Sequence, residues 1–233
     1  MSGFYLRGGL IEFVDTFLVP APNTIIFQYN PETMTHGWTP ATTGSPTHGH
    51  ASNPLAVTGL PQETFSFTLA MDANDTIADG NPVVANIAKY TGVYSRLAAL
   101  EMLLFPVAPA GGGLVGTVTA SLSLGGTSKP KAKVPIGQLP VVLFVWGPGR
   151  IVPVRVTALS IIEKLYDADF LNPTHVEAQI TLRVLTTDEL KYIHGALGTL
   201  ARTAYNYSQG LRVANAVANV ANATTSLIGM LPV

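Results

Sequence analysis

Two stretches of the chain alternate strictly between apolar and polar or small positions. In residues 63–71, Phe65, Phe67, Leu69 and Met71 are spaced by Ser66, Thr68 and Ala70. In residues 175–185, Val176, Ala178, Ile180, Leu182 and Val184 oppose His175, Glu177, Gln179, Thr181 and Arg183. A period of two sends successive side chains to opposite faces, so each stretch predicts a strand with one buried face. Residues 10–17 and 24–29 are rich in β-branched and aromatic side chains and are bounded by prolines, which predicts two shorter strands. Residues 141–146 form an unbroken apolar run of strand length, consistent with burial on both faces. Gly147-Pro148-Gly149 then turns the chain into a partner strand at 152–162. In that partner Val152, Val154 and Val156 share one face, while Leu159 and Ile161 fall in the other register. A β-bulge near Ala158 is therefore expected.

The period changes to three or four in residues 82–104. Ile87, Tyr90, Tyr94, Leu97, Leu100 and Leu104 make one apolar stripe, with Gly92 as a point of interruption and Pro106 as the stop. Thr186 and Glu189 form a Thr-x-x-Glu capping box. The helix it opens carries Leu190, Ile193, Leu197 and Leu200 on one face, and a weaker helical segment is predicted over 209–225. Residues 34–61 read as a long polar excursion. Residues 107–139 read as a Gly/Ala/Ser/Thr insertion with a short strand at 115–124, and 74–81 and 166–173 as turns. The expectation is a mainly β, α+β chain. It has an antiparallel β-barrel or two-sheet core (1–187) with one inserted helix, and a helical C-terminal extension (188–233).

Composition changes the picture from a lone domain to an assembled one. Of 233 residues, 47% are hydrophobic and only 12% are charged, against about 25% charged in ordinary soluble domains. A surface so poor in charge exposes apolar area, which marks an interface. The net charge of −1 and the scatter of 13 basic residues give no footprint for nucleic acid. Cysteine is absent, which excludes disulfides, thiolate metal sites and cysteine nucleophiles and fits a reducing compartment. No membrane span is expected: the uncharged stretch 213–233 carries Asn215, Asn219, Asn222, Thr224, Thr225 and Ser226, which hydrocarbon would leave unpaired.

Motifs that could carry chemistry read blandly. Gly111, Gly113 and Gly116 fit G-x-G-x-x-G but lack the strand before and helix after that dinucleotide binding needs. His48 and His50, with His36 upstream, find no thiolate and no nearby carboxylate before Glu63. Asp72 with Asp75, and Asp167 with Asp169, lie in turn sequence, where the carboxylate bonds neighbouring backbone N–H groups. Lys129, Lys131 and Lys133 read as a solvated loop. The chain is expected to be no enzyme, with no catalytic, cofactor or metal-binding residues.

Five segments in order carry a resemblance. Ile26-Phe27-Gln28-Tyr29-Asn30-Pro31-Glu32-Thr33, then 63–69, then 97–106, then 140–150 with Leu143-Phe144-Val145-Trp146-Gly147, then Phe170-Leu171-Asn172-Pro173 with its strand, together resemble the tube and baseplate adaptor family of contractile injection systems. That family is related to phage tail tube and hub proteins and often carries a LysM domain, of which 188–233 shows no pattern. The resemblance implies a tail-tube-like fold and a structural role joining spike and inner tube to the baseplate. The partners it implies are copies of the chain in a sixfold ring, the spike protein, the inner tube protein, and baseplate wedge or sheath-associated proteins. The place it implies is the bacterial cytoplasm, within an assembled particle. A tube-initiating ring of the same particle is the near alternative, and a peptidoglycan- or carbohydrate-binding module the distant one. The residues expected to shape assembly are Phe27, Tyr29, Asn30 and Pro31, then Trp146, Gly147, Pro148 and Arg150, then the Leu190, Ile193, Leu197 and Leu200 face.

Overall fold

The computed structural model describes residues 6–13, 23–41, 57, 59–78, 82–106 and 139–228. The expected strand at 115–124, the glycines at 111–116, His48, His50 and the three lysines at 129–133 lie outside them.

Seven strands form one sheet: β1 (Gly9–Phe13), β2 (Asn23–Ile26), β3 (Met34–Thr39), β4 (Gln62–Asp72), β5 (Val141–Val145), β6 (Ile151–Tyr166) and β7 (Pro173–Val184). Their order is β2-β1-β5-β6-β7-β4-β3, with every neighbouring pair antiparallel. The two alternating stretches lie side by side. Phe65 pairs Leu182, Phe67 pairs Ile180, Leu69 pairs Ala178 and Met71 pairs Val176, and all eight are buried. Large side chains opposite smaller ones let the layer interdigitate. The bulge falls where the change of phase predicts it. Val156 pairs Leu182 and Ala158 pairs Thr181, leaving Thr157 extra; its hydroxyl donates to the Thr181 carbonyl at 3.1 Å. Leu159 and Ile161 can then pack on the same core as Val152, Val154 and Val156.

The sheet is neither a closed barrel nor two separate sheets, which corrects the expected core. It curls without closing. Phe144 on β5 meets Phe65 and Phe67 on β4 at ring distances of 5.3 and 5.5 Å. Two strands lie between them, so a flat sheet would hold β4 and β5 about 14 Å apart. No ladder joins the ends, because β2 is four residues long and β3 pairs β4 only as far as Phe67. A cleft of ≈ 300 Å³ remains between residues 24–28 and 69–71, with Ala99 and Leu100 along it.

Helices gather at two ends. α1 (Ala73–Ala78), α2 (Pro82–Thr91) and α3 (Tyr94–Met102) follow β4. The single expected helix is therefore two, and residues 73–78 are helix rather than turn. At Gly92 φ is +56°, and a Cβ there would sit 2.5 Å from the Pro173 carbonyl oxygen. That carbonyl accepts from the Val93 N–H at 3.2 Å, so only glycine fits the junction. The break splits the apolar stripe. Leu97 and Leu100 enter the core, whereas Ile87, Tyr90, Tyr94 and Leu104 stay exposed. β3 is a further correction, since it turns the first part of the expected polar excursion into an edge strand.

After β7, Thr186 caps α4 (Thr187–Leu190) in the expected capping box. The helix is interrupted at residues 191–194, and α5 (Gly195–Ile228) runs to the end of the described chain. Leu190 is buried and Ile193 packs against the core, but Leu197 is half-buried and Leu200 exposed, so the four share no single face. Leu190, Ala201 and Tyr205 belong to the same core cluster as the sheet.

Candidate assembly surfaces

The segment Phe27-Gln28-Tyr29-Asn30 holds the open seam with side chains instead of a ladder. Phe27 fills the gap inside, with its ring 5.6 Å from Phe67 and 6.4 Å from Trp146. Gln28 acts like a strand residue from the opposite end of the sheet. Its Nε2 donates to the Asp72 carbonyl at 2.9 Å, and its Oε1 accepts the Asp72 N–H at 3.0 Å. Arg96 on α3 also donates to that Oε1, at 3.3 Å. Asn30 repeats the device on the other side. Its Oδ1 accepts the Gly8 N–H at 2.9 Å and its Nδ2 donates to the Leu6 carbonyl at 2.9 Å. The Tyr29 hydroxyl donates to the Asp75 carboxylate. That bond, with burial and the Asp75 charge, pushes the phenol up to about 12, so it remains a donor across the ordinary pH range. Pro31 follows as a half-buried turn residue.

Asn30→Ala orphans the buried Gly8 N–H and is expected to lower the unfolding free energy by about 1–2 kcal/mol. Asn30→Asp, which keeps the acceptor and loses the donor, should lose less. Urea titration of the purified chain ranks the three proteins.

The β5–β6 turn makes the second cluster. Gly147 has φ +69°, and Trp146 N–H donates to the Arg150 carbonyl at 2.8 Å. Trp146 is half-buried against Phe144, and its ring lies so close to Gly8 that a Cβ there would be 2.6 Å away. Arg150 lies over the Phe65 ring at 5.0 Å. The Pro148 carbonyl accepts from Tyr207 on α5 at 2.9 Å, and Ser208 bonds both backbone groups of Ile151. So the turn seats α5 through Pro148 and Ile151, while Trp146 and Arg150 pack on Phe144 and Phe65. Leu190 and Ile193 precede that helix and pack with the same core as Phe27, whereas Leu197 and Leu200 lie in its first turns, half-buried and exposed.

Two features escaped the sequence. Glu63 is buried, with its side chain 5% exposed, between His36 at 2.7 Å and Arg212 at 2.9 and 3.1 Å. Arg212 also covers the Trp38 ring at 4.4 Å. These residues lie up to 149 positions apart, and no spacing announces such a pair.

The other is the β6–β7 tip. Leu165 and Leu171 have φ of +51° and +57°, yet are 71% and 72% exposed. Tyr166, Phe170 and the neighbouring Tyr90 are exposed beside them. The tip is nonetheless well tied. Asp167 accepts from the N–H groups of Phe170, Asp169 and Asn172, and these bonds, Phe170's foremost, hold its carboxyl below the ordinary value. Asn172 donates to the Tyr90 carbonyl at 2.7 Å, and the Tyr90 and Phe170 rings lie 6.3 Å apart. An apolar Phe-Leu pair inside turn sequence is the signal that could have flagged it. Asp167 and Asp72 behave as expected of turn residues, Asp72 accepting the Asn74 N–H at 2.7 Å.

Among the described residues no group of three or more His, Asp or Glu could hold a metal ion. No helix among them is long and apolar enough to cross a membrane. No protein-family model matches the chain, and no curated protein matches it.

Proposed function

We propose that the chain is a non-catalytic structural adaptor of a contractile, phage-tail-like injection particle, assembled in the bacterial cytoplasm. In this role a ring of copies joins the spike and inner tube to the baseplate, and the curled sheet is a tail-tube-like core with α3 along its seam. The observation that carries the reading is the β6–β7 tip. A leucine held in the left-handed region costs about 1–2 kcal/mol, and burial within this chain does not offset that cost, because both leucines face outward. Strain kept at a rigid, exposed, apolar knob supports a docking surface. A sugar platform finds less support. Trp38 is covered on one face by Arg212, and Trp146 packs into the core.

Asparagine accepts the left-handed region more readily. Leu171→Asn is therefore expected to raise the unfolding free energy by about 1 kcal/mol, and to lower the amount of chain recovered in sedimenting particles from its native host. A variant that is stabilised and still fully incorporated removes the docking role from the tip. If the tagged wild-type chain sediments with no tube or baseplate proteins at all, the adaptor reading fails.

A further inference from the structure

Helix α5 is anchored through its first half. Ala201, Ala204, Tyr205 and Ser208 are buried against the body, and Arg212 is tied to Glu63. Beyond it residues 213–220 are all exposed, with Val213, Val217 and Val220 at 62%, 64% and 60%. The helix continues to Ile228, about 24 Å past Arg212. An overhang of this length is marginal as a lone helix in water, and it carries no charged residue.

Its sequence has the pattern of a bundle strand. Val213, Val217, Val220, Thr224 and Leu227 recur at alternating steps of four and three, which sets them at the d and a positions of a heptad. Ala214, Ala216, Ala221 and Ala223 then fall at e and g. Asn215, Asn219, Asn222, Thr225 and Ser226 fall on the remaining b, c and f face. Two-stranded coiled coils commonly place charges at e and g. Alanine there widens the apolar face beyond a two-stranded seam, and such a face is covered only when the helix has a neighbour on each side. β-Branched residues at both a and d also shift preference from two strands toward three or more. Area agrees. A strip about 24 Å by 10 Å on each of two helices totals about 500 Å², against about 1,200 Å² for the smallest stable interfaces.

We infer that the overhang of α5 packs with the same segment of neighbouring copies, as a parallel bundle of three or more strands. The occupant follows from the helix itself, since a wide face of valine and alanine with no charge is complementary to its own copy. The parallel orientation rests on the ring proposed above, which points all the tails one way.

The chain has no cysteine, so single introduced ones report proximity cleanly. In the purified full-length chain, Val220→Cys and Val213→Cys are each expected to link copies through a short bismaleimide. Asn219→Cys, on the polar face, should give roughly five-fold less product. Equal yields at 219 and 220, or no product at 220, overturn the bundle; product at 220 with none at 213 overturns its parallel orientation. Native mass spectrometry should give three or more copies for the wild type. Val217→Asp with Val220→Asp should give monomers of unchanged thermal midpoint, because neither side chain touches the body. A wild-type monomer at tens of micromolar overturns the inference. Linkage at 220 in a chain that joins no injection particle would sink the adaptor reading and leave the bundle standing. Particles that contain the unlinked chain would do the reverse.

Discussion

Phe144→Ala is expected to lower the unfolding free energy by about 4 kcal/mol, in the middle of the range for an aromatic truncation, and to move the thermal midpoint down by roughly 10 °C in a chain of this size. Phe144 has no exposed surface and meets Phe65, Phe67 and Trp146 within 5.3 to 6.2 Å. Those rings come from β4 and from the β5–β6 turn, on opposite sides of a sheet whose ends share no ladder. The stacked aromatics therefore hold the curl as well as fill the core. Removing the central ring leaves a cavity between β4 and β5 and releases a contact that holds the curl, so the sheet can flatten and draw Phe27 out of the seam. Hydrogen exchange should accordingly rise first in β2 and at Gly8, before β6 and β7. Leu200→Ala, on an exposed face of α5, serves as the control and should change stability little. A loss below about 1 kcal/mol for Phe144→Ala would show that the rings touch without supporting the curl.

The same cluster shows what the sequence makes legible. Phe65, Phe67 and the β7 residues opposite them announce themselves through a period of two, because one face of those strands is core and the other is not. The bulge at Thr157 is legible for the same reason, since a change of phase must be absorbed somewhere. The closure of the sheet is not. Whether two ends meet as a ladder or only through Gln28 and Asn30 depends on where a four-residue strand stops, and side-chain amides that imitate backbone pairing leave no period. The helix stripe in residues 82–104 misleads because periodicity reports which residues share a face of one straight helix. It says nothing of a break at Gly92, before which Ile87 and Tyr90 stay exposed and after which Leu97 enters the core. Of the residues to which the sequence points, Phe27, Tyr29 and Asn30 lie at the seam, and Trp146 and Arg150 lie in the β5–β6 turn. Gln28, Glu63 and Arg212 were not singled out, because each works through a partner far away in the chain.

Arg212→Met is the second substitution with a large expected effect, about 2 kcal/mol of lost stability, below the range for a fully buried pair because 39% of the Arg212 side chain is exposed to solvent. Glu63 is almost wholly buried, and Arg212 is its main cationic partner, bonding both carboxylate oxygens while lying over Trp38. Methionine keeps the aliphatic stem and its packing but leaves the carboxylate with His36 alone. The cost is that of an uncompensated buried charge rather than of a lost surface ion pair, which would be worth less than about 1 kcal/mol. The double variant Glu63→Leu with Arg212→Met should recover most of the loss, since an apolar pair of similar volume can replace a buried ion pair at little cost. Urea denaturation of wild type, both single variants and the double variant measures the coupling directly. Two single variants whose losses simply add would mean that Arg212 steadies α5 by packing on Trp38 and not by compensating Glu63. The result reaches beyond stability, because Arg212 is the last anchored residue before the overhang. With that anchor gone the first free turn of α5 moves back toward residues 208–209, and Val213 loses its fixed height above the body. Cross-linking through Val213→Cys should therefore fall in the Arg212→Met background, while Val220→Cys, held by the bundle itself, should keep more of its yield.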